Sequence, residues 1–167
     1  YRETDRLGGK DPYSASKACA ETAFSTYFRS YLNKRDNLNI ATARAGNVIG
    51  GGDWARDRIV PDCIRAWQKG DDVIIRYPGA TRPWQHVLEP LSGYLRLGQY
   101  LFENQPDING ESFNFGPESD VIQSVEELIH ELQKIWAQSS YSIQAESDKK
   151  EANLLKLCCD KALNRLN

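Results

Sequence analysis

The spacing of apolar side chains divides the chain into helical and extended segments. Between residues 13 and 32, one set of side chains recurs at steps of three and four, which is the spacing of an amphipathic helix. Asp11 and Pro12 stand directly before this segment as a helix cap and a first-turn proline. The positions that share one face of the predicted helix are Tyr13, Lys17, Ala20, Phe24, Phe28 and Tyr31.

Shorter segments of both kinds follow. Gly70 is a typical helix end, and Ser124 with Glu127 forms a capping box at a helix start. Residues 143–156 are mostly polar, and Asp160 is predicted to cap a last helix. Because helices and strands alternate, the pattern predicts an α/β chain. The predicted elements are helices over residues 58–69, 88–103 and 124–136 and strands over residues 40–44, 73–76 and 112–115.

Composition excludes several classes of function. The chain has 167 residues, enough for one ordinary domain, and its net charge of -2 offers no basic field for nucleic acid or an anionic membrane. No apolar run approaches the roughly 20 residues that span a bilayer, so a cytoplasmic protein is expected. The four cysteines fit free thiols in a reducing compartment. His86 and His130 lack ligand spacing, and we expect no metal site.

The sequence contains no methionine and opens on Tyr1. From this we expect it to be a piece of a longer protein.

One pair of residues carries candidate chemistry. Tyr13 and Lys17 lie one helical turn apart on the same face. A free phenol is a poor base at neutral pH, and a nearby ammonium favours its phenolate form. Such a pair can move a proton on or off a sugar hydroxyl. By itself the pattern is also compatible with an amphipathic helix that carries a solvated lysine.

The context of this pair resembles the active-site helix of the extended short-chain dehydrogenases. Residues 11–17 (DPYSASK) carry the resemblance, and four later segments match that family in the same order. The residues at 45–54 and 82–94 are similar, more narrowly, to those of the CDP-glucose 4,6-dehydratases. The four later segments are residues 44–50 (RAGNVIG), 58–61 (RIVP), 82–87 (RPWQHV) and 113–117 (FNFGP).

The resemblance implies a fold and a reaction. The fold is the C-terminal part of a Rossmann-like NAD-binding domain with a small mixed α/β substrate lobe, here one partial domain over residues 1–167. The reaction takes CDP-glucose to a 4-keto-6-deoxy sugar: NAD takes hydride from C4, water is lost across C5 and C6, and the hydride returns at C6. A homodimer of the full-length form is also implied.

The resemblance also assigns site residues. Tyr13 would be the base at the C4 hydroxyl and would also contact the cofactor. Lys17 would support Tyr13 and hold the nicotinamide ribose. The backbone around Gly46 and Val48 would meet the nicotinamide. The implied substrate contacts are Asn47, Arg58, Arg82 and Asn114.

Each substrate contact has a plainer interpretation. Asn47 is also a common turn residue, and Arg58 is compatible with a simple helix start. Arg82 offers the paired donors that suit a diphosphate, or it is an exposed loop arginine beside a proline. For Asn114, a pocket wall and a structural hydrogen bond remain open alternatives. The triple glycine at residues 50–52 lacks phosphate-loop spacing, which favours a mobile substrate loop.

The chain also departs from the pattern of the family. The glycine-rich first turn and the residues that supply the dehydration acid and base fall outside it, so the chain alone is not expected to turn over CDP-glucose. Cys158 stands where relatives usually have aspartate, which puts a loop-fixing hydrogen bond in doubt. Two alternatives to this interpretation stay open. The chain could be part of another nucleotide-sugar dehydratase or epimerase, or it could be a truncated non-catalytic relic or interaction domain.

Overall fold

Helices and short strands alternate through the chain in a computed structural model that describes residues 1–9, 11–118, 121, 123–144 and 155–166. The helices are α1 (Pro12–Ser30), α2 (Ile59–Lys69), α3 (Leu88–Phe102), α4 (Val125–Gln133) and α5 (Asp160–Arg165), with a short 3₁₀ turn at Leu32–Lys34. The strands are β1 (Thr42–Ala45), β2 (Asn47–Ile49), β3 (Val73–Ile75), β4 (Thr81–Arg82), β5 (Trp84–His86), β6 (Ser112–Phe115), β7 (Gln123–Ser124) and β8 (Tyr141–Ile143).

The first of two units is built on a pair of parallel strands. It comprises Tyr1–Ala45, Leu88–Gly116 and Leu157–Asn167. Strands β1 and β6 lie side by side, with Arg44 opposite Asn114. Apolar side chains from α3, β6, α5 and the loop before β6 form its core, and their burial stabilises the unit. The buried members of this core are Leu97, Ile108, Phe113, Ala162 and Leu166.

The second unit comprises Gly46–Val87 and Pro117–Lys156. Strand β2 pairs with β5 and β3 pairs with β8, both in parallel, while β4 and β7 are antiparallel. Helix α2 buries one apolar face and ends at Gly70, whose φ of 76° is the left-handed conformation that glycine adopts without strain. The buried members of its core are Cys63, Trp67, Val73, Ile75 and Ile129.

Most of the predicted elements are confirmed. Asp11 is the N-cap of α1, β6 has the predicted bounds, and Ser124 and Glu127 form both hydrogen bonds of a capping box. The cap predicted at Asp160 is wrong: Cys159 is the N-cap of α5, and it makes no side-chain capping bond. Within the described ranges the sequence pattern missed five strands, because runs of two or three residues are too short to show a period. The segment of residues 143–156, which the sequence predicts to be mostly polar, lies partly outside the described residues.

Two further facts bear on the predictions from composition. Among the helices of the described residues, none has the length and apolar character that a membrane span requires. All four cysteines are free thiols, of which Cys19 is exposed and Cys63 is buried.

The thiols should therefore differ in reactivity. Burial, aided by the negative charge of Asp62, raises the pKa of the Cys63 thiol to about 12, so it stays protonated near pH 8. We expect an aromatic disulfide reagent to modify Cys19 promptly at pH 8 and to reach Cys63 only when the chain unfolds. A Cys63→Ala variant should keep the fast-reacting thiol count, whereas Cys19→Ala should lower it by one. Equal loss in both variants would contradict this assignment.

Candidate functional site

The start of α1 presents the tyrosine and lysine together. Asp11 caps the helix by accepting the backbone N–H of Ser14 at 3.0 Å, and it also accepts the Ser14 hydroxyl. These bonds lower the pKa of Asp11, so the cap is a carboxylate at neutral pH. One turn on, the Nζ of Lys17 lies 5.4 Å from the centroid of the Tyr13 ring. Tyr13 is 71% exposed, and Lys17 is exposed too, so a ligand has access to both side chains.

A second set of polar groups ties the same helix to the strands. Glu21, one turn beyond Lys17, accepts two hydrogen bonds from the Arg44 guanidinium at 2.9 and 3.0 Å. The Ser112 hydroxyl donates to the same carboxylate at 3.3 Å, and the Thr42 hydroxyl lies 3.1 Å from it. The Arg44 bonds lower the pKa of Glu21, and Glu21 raises the pKa of Arg44, so both groups stay charged.

Glu21 is not among the site residues that the sequence predicts. The signal that could have found it is its spacing, because Tyr13, Lys17 and Glu21 follow one another at steps of four.

Asn114 is anchored by structural contacts. It is 1% exposed, and its side-chain amide donates to the carbonyls of Tyr1 at 3.3 Å and Cys158 at 3.2 Å. Its backbone N–H donates to Glu3 at 2.9 Å. These contacts favour the structural alternative for this residue, although its Oδ1 has no hydrogen-bond partner among the described residues.

The same contacts bear on Cys158. Its backbone N–H donates to the Tyr1 carbonyl at 2.9 Å, and its own carbonyl accepts from Asn114. The segment before α5 is therefore held through backbone groups that most residues at position 158 would supply. An aspartate side chain is not required for this attachment.

In the second unit, residues 46–50 and the motif of residues 82–87 lie side by side through the strands β2 and β5. Strands β2 and β5 pair in parallel, which sets Asn47 opposite Trp84 and Val48 opposite Gln85. Gly46 fits this arrangement for a steric reason, since a Cβ there would lie 2.7 Å from the carbonyl oxygen of Pro83. The candidate residues at positions 46–48 thus lie beside the motif of residues 82–87.

The two candidate arginines differ in their surroundings. Arg82 lies half-buried on β4, where its guanidinium donates to the Thr81 carbonyl at 2.8 Å, so it is not an exposed loop residue. Arg58 is the N-cap residue of α2. Its side chain is 58% exposed and lies 3.7 Å from the Asp53 carboxylate.

The loop that follows β2 has an internal support. Arg65 on α2 donates to the carbonyl of Trp54, and its guanidinium lies 5.9 Å from the centroid of the Trp54 ring. It also pairs with Asp62 at 2.8 Å. The loop that contains the triple glycine is therefore attached to α2 through the Arg65 side chain.

In the part of the chain that the structure describes, no group of three or more histidine, cysteine, aspartate or glutamate side chains is arranged to hold a metal ion.

Comparison with known proteins shows the family of the chain. Residues 1–116 match the sequence profile described as the NAD dependent epimerase/dehydratase family. Over 167 residues the chain is 44% identical to the CDP-glucose 4,6-dehydratase of Salmonella typhimurium, in a match that covers 97% of this chain and 46% of that protein. The chain therefore spans about half the length of the curated relative that it matches.

Solved structures show the same fold at low sequence identity. The dTDP-glucose 4,6-dehydratase of Bacillus anthracis, in complex with NAD, superposes with a TM-score of 0.75 at 19% identity, over 99% of this chain and 48% of that one. The UDP-glucuronic acid 4-epimerase of Bacillus cereus, with UDP-glucuronic acid and NAD, gives a TM-score of 0.73 at 18% identity, over 98% of this chain and 51% of that one. The Rossmann-like α/β class expected from the sequence is confirmed.

The ion pair between Glu21 and Arg44 predicts a pH dependence of stability. Because the pKa of Glu21 is lowered on folding, the pair stabilises the chain above the ordinary value of 4.5, and this contribution is lost as pH falls through the folded-state pKa. We expect Glu21→Gln to lower the free energy of unfolding by about 1–2 kcal/mol at pH 7. In urea titrations, this difference in the free energy of unfolding between the variant and the wild type should shrink as the pH falls below 4.5.

Glu131→Gln is the matched control, since it removes a carboxylate whose pair with Lys134 is exposed on both sides. It should change stability by less than about 0.5 kcal/mol. A deficit of Glu21→Gln that stays constant between pH 7 and pH 3 would contradict the assignment to a charged pair.

Proposed function

Because the chain belongs to the NAD dependent epimerase/dehydratase family, we propose that it supplies the tyrosine–lysine pair and the sugar-nucleotide contacts of a CDP-glucose 4,6-dehydratase. The observation that carries the proposal is the exposed pair of Tyr13 and Lys17 at the capped start of α1. The 44% identity to a CDP-glucose 4,6-dehydratase along nearly the whole chain supports CDP-glucose as the substrate.

The role of Tyr13 follows from its chemistry. Its phenol oxygen would take the proton of the C4 hydroxyl as that carbon is oxidised. Lys17 would support Tyr13 as a nearby positive charge, since its Nζ lies 5.4 Å from the ring centroid and on the same side of the helix. Both side chains are exposed, so a sugar can approach the phenol directly.

Three of the predicted residues would meet NAD, the cofactor of the family. Lys17 would donate to the nicotinamide ribose, and the backbone at Gly46 and Val48 would meet the nicotinamide. When bound, NAD supplies the acceptor that takes hydride from C4 of the sugar and returns it at C6. The chain's own part is to orient the sugar and to move the C4 proton.

The second unit would hold the nucleotide sugar. Arg82 carries planar, paired donors that suit a diphosphate, and Arg58 would add a second positive charge. Asn47, in register with Trp84, would contact the hexose or its phosphate. The amide of Asn114, in the first unit, donates to two backbone carbonyls, so we assign it a structural part and no contact with the sugar. The homodimer and the cytoplasmic location stay predictions.

The proposal can be tested with a chimera of this chain and its relative, called the joined protein below. In it, this chain replaces the matching segment of the Salmonella typhimurium relative, so that the rest of that enzyme completes the fold. We expect the joined protein to convert CDP-glucose to the 4-keto-6-deoxy product in the presence of NAD. Tyr13→Phe should lower kcat by about a hundredfold or more, the scale of positioned acid–base catalysis, while NAD binding changes little.

Tyr27→Phe is the matched control, because Tyr27 is another exposed tyrosine of α1 and lies near the opposite end of the helix. Its kcat should stay within about twofold of the parent, as for most surface substitutions. Near-normal turnover in Tyr13→Phe would remove Tyr13 as the base. No product from the joined protein would favour the non-catalytic alternative.

Substitutions of Arg82 distinguish a contact with the diphosphate from a purely structural role of this arginine. A diphosphate does not react, so contacts to it are made equally in the ground and transition states, and their loss appears mainly in KM. A charge-assisted hydrogen bond contributes roughly 1.5–3 kcal/mol, so Arg82→Ala in the joined protein should raise KM for CDP-glucose by roughly ten- to a hundredfold. Arg82→Lys should recover only part, because lysine lacks the planar fork.

The matched control is Arg35→Ala, which removes an exposed arginine from the first unit. Its KM should stay within about twofold of the parent. If KM is unchanged in both Arg82 variants, Arg82 is not a substrate contact.

A further inference from the structure

The direction in which Tyr13 and Lys17 point depends on the rotation of α1 about its own axis. The cap at Asp11 fixes the residue at which the helix begins, but a cap alone does not fix that rotation. A side-chain tip about 6 Å from the axis moves by about 1 Å when a helix turns by about 10°. A misplacement of about 1 Å at a reacting group can cost about a hundredfold in rate.

Few apolar contacts fix α1 to the rest of the first unit. Within the described part of the chain none of the 19 residues of α1 is buried, whereas α2 buries three residues and α3 buries two. One apolar contact lies near its C-terminal end, where the Phe28 ring packs on Gly110 so closely that a Cβ there would overlap the ring. This contact is fifteen residues, or about four turns, away from Tyr13.

Glu21 provides a polar contact much closer to the candidate pair. Its carboxylate is 17% exposed, and it binds the Arg44 guanidinium through two bonds in the planar geometry that carboxylates and guanidinium groups share. Hydroxyls from both β1 and β6 lie within 3.3 Å of one of its oxygens. A bidentate pair with hydroxyl support on two strands restrains translation and rotation at once, which a single hydrogen bond does not.

The angular positions of Glu21, Lys17 and Tyr13 around the axis of α1 relate the Glu21 contact to the candidate pair. At about 100° per residue, Glu21 is about 40° around the axis from Lys17 and about 80° from Tyr13, so all three lie on one side of α1. Fixing Glu21 against β1 therefore fixes where the other two side chains point.

We propose that Glu21 is a positioning residue for the reaction: through Arg44 it sets the rotation of α1 and so the placement of Tyr13 and Lys17. This inference rests on the proposed function of those two residues. Glu21 itself touches neither of the reacting groups. Its effect should therefore appear in the chemical step and not in the binding of the nucleotide sugar, whose proposed contacts lie in the second unit.

The first test is kinetic and uses the joined protein at a temperature where every variant is folded. We expect Glu21→Gln to lower kcat by at least about tenfold while KM for CDP-glucose stays within about twofold. Arg44→Gln should have a similar effect. The double variant should be no worse than either single one, because both remove the same interaction.

Two controls separate positioning from loss of stability. Ile108→Val trims a buried side chain of the same unit and should lower the melting temperature without changing kcat. Glu131→Gln should change neither quantity. If Glu21→Gln keeps the parent kcat, or if kcat falls equally in Ile108→Val, the positioning role is overturned.

The second test needs no activity and uses the 167-residue chain alone. Hydrogen exchange should show the amides in the first half of α1 opening at least about fivefold faster in Glu21→Gln, with those of α2 unchanged. Unchanged exchange in α1 would show that Glu21 does not hold the helix. If the unmodified joined protein yields no product, the proposed function fails. Hydrogen exchange in the chain alone still decides whether Glu21 holds α1 in place.

Discussion

The carboxylate of Glu21 joins helix α1 to the β1–β6 ladder, and the first unit depends on this attachment for the placement of its helix. Strands β1 and β6 bring the backbone of Thr42 beside that of Ser112. Their hydroxyls and the Arg44 guanidinium then surround one carboxylate from the helix. A charge that is mostly removed from water needs such partners, because an unpaired carboxylate would carry a large desolvation cost.

The second unit relies on a different constraint, the close approach of two backbone segments. Gly46 admits the carbonyl of Pro83 at a distance that a Cβ would prevent, and Gly50 does the same for the side chain of Val87. Between these two contacts, β2 and β5 pair in parallel over three residues. The glycines therefore allow the ladder that sets the candidate residues Asn47 and Val48 beside the arginine motif.

Local sequence was a good guide where one interaction between near neighbours decides the outcome. The cap at Asp11, the end of α2 at Gly70 and the capping box of Ser124 each involve groups within a few residues. The short strands β2, β5 and β8 could not be predicted in this way, since three residues show no period and form strands only where a partner lies alongside. The cap predicted at Asp160 failed because α5 begins at that residue, one position earlier than a cap there requires.

The sequence by itself determined the α/β class, the helix that carries Tyr13 and Lys17, and the family to which the chain belongs, since these depend on spacing and residue type. Only the tertiary structure decided which partners the buried polar groups take. Asn114 binds the carbonyls of Tyr1 and Cys158, and Glu21 binds Arg44, across separations from which no local pattern could be read. The physical reason is that a polar side chain in a protein interior must pair with whatever group the fold brings within reach, and that group is set by the packing of distant segments.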